Sequence, residues 1–451
     1  MKRRLGRFPV ALGLCAAVLS PSLAAESGVE QRLEALERKV QTIDERSGVG
    51  KSTQPERRLE AAAGVGEEAY VPPGTAPSAG TVYRVDNEKV SLAGYGEAVY
   101  QNFSNEKENG TPSGRKDTFD LLRLVAYLGY RFNDKILFNS EIEYEHASSG
   151  KRGEVSVEFA YLDFLLSRPF GVRAGMVLVP MGFTNELHEP TVFHGSLRPD
   201  IEQNIIPTTW RENGAGFFGQ AGPFSYRAYV VAALQAARQS ATDAVGGFRA
   251  ANGLRGGRSS GSASLADDFA AVGRLDYQGI PGFLLGASAY TGKTGQRVAD
   301  PVSGEEIGAH VTLWDIHSEW ESHGAKIRGL YTRATIGDVA KINNANGLTG
   351  NASVGEALWG GYVEGSYDVL PLVLPDTNQS LSPFVRYERY NTQDGVPNTF
   401  TENPASNRTV VTFGLTYKPI DKVAIKADYQ DRRDKADTAV DQFNLALGWR
   451  F

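Results

Sequence analysis

From about residue 88 to residue 451, apolar and polar residues alternate with a period of two, in about sixteen stretches separated by turn-forming residues. In the last stretch Phe443, Leu445, Leu447, Trp449 and Phe451 share one face, and Gln442, Asn444, Ala446, Gly448 and Arg450 share the other. Upstream, "KVAIKADYQ" sets Val423, Ile425, Ala427 and Tyr429 against Lys422, Ala424, Lys426 and Asp428. "KILFNSEIEYEHA" sets Ile136, Phe138, Ile142 and Tyr144 against Asn139, Glu141, Glu143 and Glu145. Successive side chains of a strand point to opposite faces, so this period means β-structure with one apolar and one polar face. The expected strands begin near 90, 119, 135, 154, 169, 211, 223, 267, 282, 310, 325, 357, 381, 409, 422 and 441.

The connections alternate in length. Short ones fall at 133–135, 167–169, 220–222, 278–282, 322–324 and 419–422, with a longer member of the set at 369–380. Long ones fall between them, at 102–117, 147–153, 179–209, 236–266, 292–308, 336–355, 391–407 and 431–440. A transmembrane barrel has an even number of antiparallel strands, short turns at one end and long loops at the other. Beyond the N-terminal segment no apolar run has the length of a spanning helix, and a membrane-spanning chain without one must close its strands into a barrel. A soluble sandwich would also alternate apolar and polar residues, but it has no reason to keep a short-long rhythm. The expected fold is therefore all-β, a transmembrane antiparallel β-barrel of about 16 strands over 88–451.

The residues before 88 read differently. "MKRRLGR" followed by "FPVALGLCAAVLS" and the small residues Ser22 and Ala24 has the charged, apolar and cleavage regions of a signal peptide over 1–24. Removing it takes away Lys2, Arg3, Arg4 and Arg7, so the formal charge of -6 becomes about -10 (-6 minus 4). That acidic balance gives no footprint for nucleic acid. The only cysteine, Cys15, leaves with the same segment, so disulfides, thiol catalysis and cysteine metal sites are excluded. Over 28–48, Val29, Leu33, Leu36, Val40 and Ile43 follow a heptad spacing. It is either a short coiled coil that joins subunits or an amphipathic helix lying on a neighbour. Residues 49–87, with "VPPGTAPSAG" at their centre, read as a flexible linker.

With its terminal strand ending on Phe451, the chain resembles a Gram-negative outer-membrane porin. The stretches 175–219 and 383–392 ("PFVRYERYNT") and the N-terminal helix narrow that likeness to the phosphate-selective porin O and P family. The resemblance implies passive diffusion of ions, phosphate or other anions among them, and of small hydrophilic solutes through a water-filled lumen. It implies a homotrimer in outer-membrane lipid, with the N-terminal helix and linker in the periplasm. Trp449 and Phe451 would be the signal read by the outer-membrane assembly machinery. No cofactor, metal or catalytic residue is implied.

The resemblance also implies a loop folded inside to narrow the pore, and 179–209 is the candidate. It carries Glu186, His188, Glu189, His194, Arg198, Asp200 and Glu202; its acids outnumber its Arg and Lys, where an anion trap would want the reverse. Parity turns Arg123, Arg173, Arg227, Arg274, Arg328, Arg386, Lys426 and Arg450 toward the lumen, with Glu141, Glu143, Glu145, Glu158, Asp276, Asp315, Glu319, Glu364, Glu388 and Asp428. In a solvated lumen such charges form weak cross-strand pairs. Two other functions stay in view. One is a structural protein linking the membrane to the cell wall through the residues before the barrel. The other is a barrel hydrolase built on His317, which has Asp315 and Glu319 on its own face. "GASAYTGKTG" (286–295) has the wrong spacing for a phosphate-cradling loop, and His188 and His194 are six residues apart, not the four of a helical zinc pair.

Overall fold

A computed structural model of the chain describes residues 70–84, 89–150, 152–240 and 245–451. The expected signal peptide and the 28–48 helix lie outside these residues. The strands are β1 (Val90–Phe103), β2 (Thr118–Arg131), β3 (Ile136–Glu145), β4 (Val155–Ser167), β5 (Phe170–Leu178), β6 (Arg211–Ala221), β7 (Phe224–Ala232) and β8 (Phe269–Ile280). They continue as β9 (Phe283–Gly292), β10 (Val311–Ser322), β11 (Ala325–Ile336), β12 (Ala357–Tyr367), β13 (Ser380–Asp394), β14 (Asn407–Ile420), β15 (Val423–Asp434) and β16 (Gln442–Arg450). Each begins within two residues of its expected start. Every strand pairs antiparallel with its chain neighbours, and β16 closes on β1, giving a sealed sixteen-stranded barrel. Tyr95 faces Arg450 across the closure, and the backbone N–H of Phe451 donates to Gly94 O at 2.9 Å. No sheet edge remains to template pairing with another chain.

The outer face is apolar. Leu124, Val230, Leu275, Ile316, Val363, Phe413 and Leu447 are exposed in a band around the barrel. Exposed aromatics mark both rims: Phe119, Tyr144 and Phe269 toward the long loops, and Phe170, Phe224, Trp320 and Tyr367 toward the short turns. A continuous apolar belt with aromatic girdles belongs in a bilayer. Val363, 60% exposed at the middle of β12, provides a test. Val363→Arg is expected to cost about 2–4 kcal/mol of folding free energy in phospholipid vesicles, read from the denaturant midpoint; an unchanged midpoint would mean that this face does not meet lipid.

Inside, the barrel is full. Residues 70–84, the described part of the expected linker, are not a free tether: they enter the short-turn end and finish in a helical turn, Thr81–Arg84. Val82 packs with Leu137 of β3, and Ala79 O accepts from Asn139 Nδ2 at 3.0 Å. Tyr83 OH donates to Asp163 Oδ2 of β4 at 2.7 Å. At the opposite end the long loops build an apolar core with Trp210, Ile205, Phe248, Leu254, Ile342 and Leu358, all fully buried. Asn346, at the end of the helix Val339–Asn346, donates to Ala236 O at 3.0 Å and ties two of these loops together. Outside that core Asp300 accepts from Ser303, Val302 and Asn344, bonds that hold its carboxyl down to about 2. The stabilisation from this depressed group is fully present above the ordinary carboxylate range and is lost as pH falls through about 2.

Candidate functional site

The segment between β5 and β6, residues 179–210, turns back into the lumen rather than outward over the rim. Four prolines, Pro180, Pro190, Pro199 and Pro207, keep it out of strand pairing by removing backbone donors. Gly182 turns with φ +64° against Glu202, whose Oε2 would lie 2.6 Å from an added Cβ. All seven loop residues singled out from sequence lie within the barrel, six of them buried and His194 half-buried.

The wall holds this loop mainly by its backbone. Lys426 Nζ donates to Phe193 O and Gly195 O at 2.9 Å each, and Lys418 Nζ to Thr191 O at 2.6 Å. Arg386 reaches His194 O and Leu197 O, Arg328 reaches Val192 O, and Arg123 reaches His188 O, at 3.4–3.5 Å. In return, wall carboxylates accept from loop amides: Asp428 from Ser196 at 2.6 Å, Glu388 from Ile201 at 3.3 Å and Asp315 from Gly182 at 3.2 Å. The wall cations can therefore dock a loop whose charged side chains are mostly acidic, because its carbonyls are the acceptors.

The loop acids have partners of their own. Glu186 takes Arg227 at 2.9 Å, and Asp200 takes Arg432 together with Tyr390 OH. Glu202 accepts from Phe183 N (2.7 Å), Thr184 N (2.6 Å), Thr184 Oγ1 (3.0 Å) and Tyr362 OH (2.7 Å). Glu189 accepts from Ser78 N at 2.8 Å, which joins the loop to the N-terminal segment. Between these two pieces remains a cavity of about 10 Å³, bordered by Gly74, Ala79, Arg173 and Glu186, space for about one water.

Of the wall cations read from parity, Arg123, Arg173, Arg227, Arg274, Arg328, Arg386 and Lys426 are buried, and Arg450 is half-buried with its Nε unpartnered. The pairs are close, some across strands and two between residues two apart on one strand. Arg173 meets Asp163 through Nε (2.7 Å) and Nη2 (2.8 Å), and Arg386 meets Glu364 (3.0 Å) and Glu388 (2.8 Å). Arg123 meets Glu97 at 2.5 Å, Arg274 meets Asp276 at 2.9 Å, and Arg328 meets Glu319 at 3.1 Å. The expectation of weak pairs in water is thus overturned. With Arg386 and Glu388 each 1% exposed and Asp163 fully buried, these are desolvated pairs, and breaking one exposes the survivor to the full cost of an unpaired buried charge.

Sequence reasoning missed Glu97 and Asp163. Glu97 lies on the inward parity of β1 beside Tyr95 and Val99, so the same rule would have found it. Asp163 was hidden by a bulge: Glu158 and Phe159 both point inward, and parity reverses after them.

The histidines separate. His188 faces Glu141 and Glu158, whereas His194 stacks on Phe384 at 5.5 Å and meets Thr416 at 3.2 Å. His188 and His194 therefore share no metal site. His317 has Asp315 at Nδ1 (2.6 Å) and Asp276 at Nε2 (3.0 Å), while Glu319 turns to Arg328 and Lys326. Both ring nitrogens of His317 face carboxylates, which leaves neither to activate a hydroxyl.

A closed sixteen-stranded barrel with an apolar outside, a charged inside and a loop between β5 and β6 packed within has the fold of outer-membrane porins. It is similar to the outer membrane channel DcaP of Acinetobacter baumannii, at a TM-score of 0.52 and 11% identity over 80% of this chain and 97% of that one. It is also similar to a loop L8 deletion mutant of OmpT, an outer membrane protein of Vibrio cholerae, at 0.50 and 13% over 81% and 100%. At such identities the likeness shows the fold alone. No family model matches the sequence. The chain belongs to one family with an uncharacterized protein of Aquifex aeolicus (strain VF5), 38% identical over 395 residues, 85% of each chain.

Proposed function

We propose that the protein is an outer-membrane channel for passive diffusion of ions and small hydrophilic solutes, shut in the conformation described here. The observation that carries this is the row of cations on β11, β13, β14 and β15, Arg328, Arg386, Lys418 and Lys426, all turned inward and held on loop carbonyls. A carbonyl is a neutral partner. Withdrawal of the loop frees Lys418 and Lys426 to line an aqueous path, while Arg328 and Arg386 keep wall carboxylates beside them; the two freed lysines favour anions, phosphate among them. Docked, the seven loop residues form the constriction; with the loop withdrawn, the wall cations tune the flow. The assembled form is a homotrimer joined through 28–48 in the periplasm, with Trp449 and Phe451 serving outer-membrane assembly. A hydrolytic role has no support, given the two occupied nitrogens of His317.

Single-channel recording in a salt gradient, with phosphate as competitor, tests this reading. Anion-directed reversal potentials and block by phosphate are expected. Cation selectivity would remove the phosphate reading and leave a general channel. Absence of conductance under all voltages would leave the structural reading, a barrel that links membrane to cell wall; the filled lumen favours it as the second choice.

A further inference from the structure

The geometry points to a divalent metal site, of the kind that takes zinc, formed by Glu141, Glu158 and His188, which clamps the inner loop to the wall. The three side chains come from three elements: β3, the bulge of β4 and the loop. Nε2 of His188 lies 3.3 Å from Glu141 Oε1 and 3.1 Å from Glu158 Oε2. The three ligand atoms fall within 4.8 Å of one another, and all three residues are buried. Ligands about 2.0–2.2 Å from a tetrahedral zinc stand about 3.3–3.5 Å apart, close to these separations.

The hydrogen bond on the far side of the ring orients the histidine toward the site. Nδ1 of His188 lies 3.0 Å from Asn185 O. A carbonyl only accepts, so Nδ1 carries a hydrogen and Nε2 is the atom turned to the two carboxylates. A neutral ring with its one hydrogen on Nδ1 would set the Nε2 lone pair against two carboxylate oxygens, a repulsive arrangement in a buried place that a metal ion, or a proton on Nε2, relieves. A positive centre belongs there. Metal-bound histidines commonly donate their second N–H to a backbone carbonyl in this way.

A second observation is independent of the histidine. Glu141 Oε2 is buried and has no hydrogen-bond partner, so this carboxylate has a lone pair to spare. The other neighbours orient rather than fill the site. Tyr95 OH donates to Glu141 Oε1 at 3.2 Å, and Arg211 Nη1 lies 3.4 Å from Glu158 Oε1, the oxygen turned away from the histidine. Arg123 is committed to Glu97 at 2.5 Å, with Glu143 at 3.8 Å. One imidazole and two carboxylates make an N/O donor set suited to zinc and its neighbours among the divalent ions. Since β3 and β4 are wall and His188 is loop, occupancy favours the docked loop over the withdrawn one.

The test is metal content. The full chain is refolded in detergent with zinc chloride, desalted, and measured for zinc by elemental mass spectrometry, beside His188→Gln, Glu158→Gln and Glu141→Gln. The expected result is about one zinc per chain in the unaltered protein, at least tenfold less in His188→Gln, and a Tm that EDTA lowers only in the unaltered protein. Heat-modified gel migration identifies the folded barrels; if His188→Gln does not fold, the two glutamate variants give the comparison. Zinc below about a tenth per chain, or equal zinc in the folded variants, overturns the proposal. So does a Tm that responds to pH alone with no zinc bound, because a proton then supplies the positive centre. None of these readouts depends on conductance, so this site and the channel reading stand or fall separately.

Discussion

Arg386→Ala is expected to convert a mostly shut barrel into one that conducts. Arg386 donates through Nε to Glu388 and through Nη1 to Glu364, and it also reaches two carbonyls of the inner loop. Truncation leaves both carboxylates buried, with Arg328, 3.6 Å from Glu364, and the Ile201 amide, 3.3 Å from Glu388, to offset them. Breaking a buried pair in this manner costs about 3–5 kcal/mol. The penalty falls on the docked state alone, since loop withdrawal lets water reach Glu364 and Glu388. At about 1.4 kcal/mol per tenfold, the closed-to-open ratio shifts by about two to three and a half orders of magnitude. Planar-bilayer recordings should then show frequent openings where the unaltered protein shows few. Arg386→Lys keeps the charge but cannot fork to two carboxylates, and should fall between them. A folded Arg386→Ala barrel with unaltered conductance would mean that the loop does not gate the lumen.

Asp163→Ala is expected to loosen the other stopper, at the short-turn end. Asp163 is fully buried and accepts from both Arg173 nitrogens and from Tyr83 OH. Its loss leaves Arg173 desolvated, with only its stacking over Tyr161 at 3.8 Å and Phe218 at 5.1 Å, again about 3–5 kcal/mol. The anchor of Tyr83 goes with it, a further 1.5–3 kcal/mol or so for a hydrogen bond to a charged group. The checks are a lower Tm and protease cleavage within 70–84. Asp163→Asn should give a smaller drop, because its amide oxygen still accepts. An unchanged Tm with a protected segment would show that apolar packing of Val82 on Leu137 holds the stopper without the ionic bond.

Much of the wall was legible in the sequence, and the legible part had a local cause. Leu445, Leu447, Ile425 and Phe413 fall on the lipid side, and Asn444, Lys426 and Thr412 on the inner side, as two-residue periodicity requires. Most of the inward charges were legible too, Glu97 and Asp163 aside; their state was not. Lumen parity cannot tell whether Arg386 meets water or Glu388, because that depends on what else enters the barrel. The stretch "VPPGTAPSAG" has the composition of a tether, yet Ala76, Ser78 and Ala79 are buried. Small residues with turn geometry suit both a free chain and a tight stopper, so composition is silent between them. The bulge at Glu158 and Phe159 hid Asp163 because one added residue reverses every later side chain.

What the sequence determined by itself is the barrel: which residues face lipid, where strands start, and which ends carry turns. Placing a charge in hydrocarbon is costly at each position separately, so every strand records its own orientation. Only the tertiary structure decided what fills the ring. Ser196 finds Asp428 across 232 positions of the chain, Lys426 finds Phe193 across 233, and Ser78 finds Glu189 across 111. Each of those bonds joins a side chain to a backbone N–H or C=O, a group that every residue but proline carries in full and that therefore leaves no pattern in a sequence.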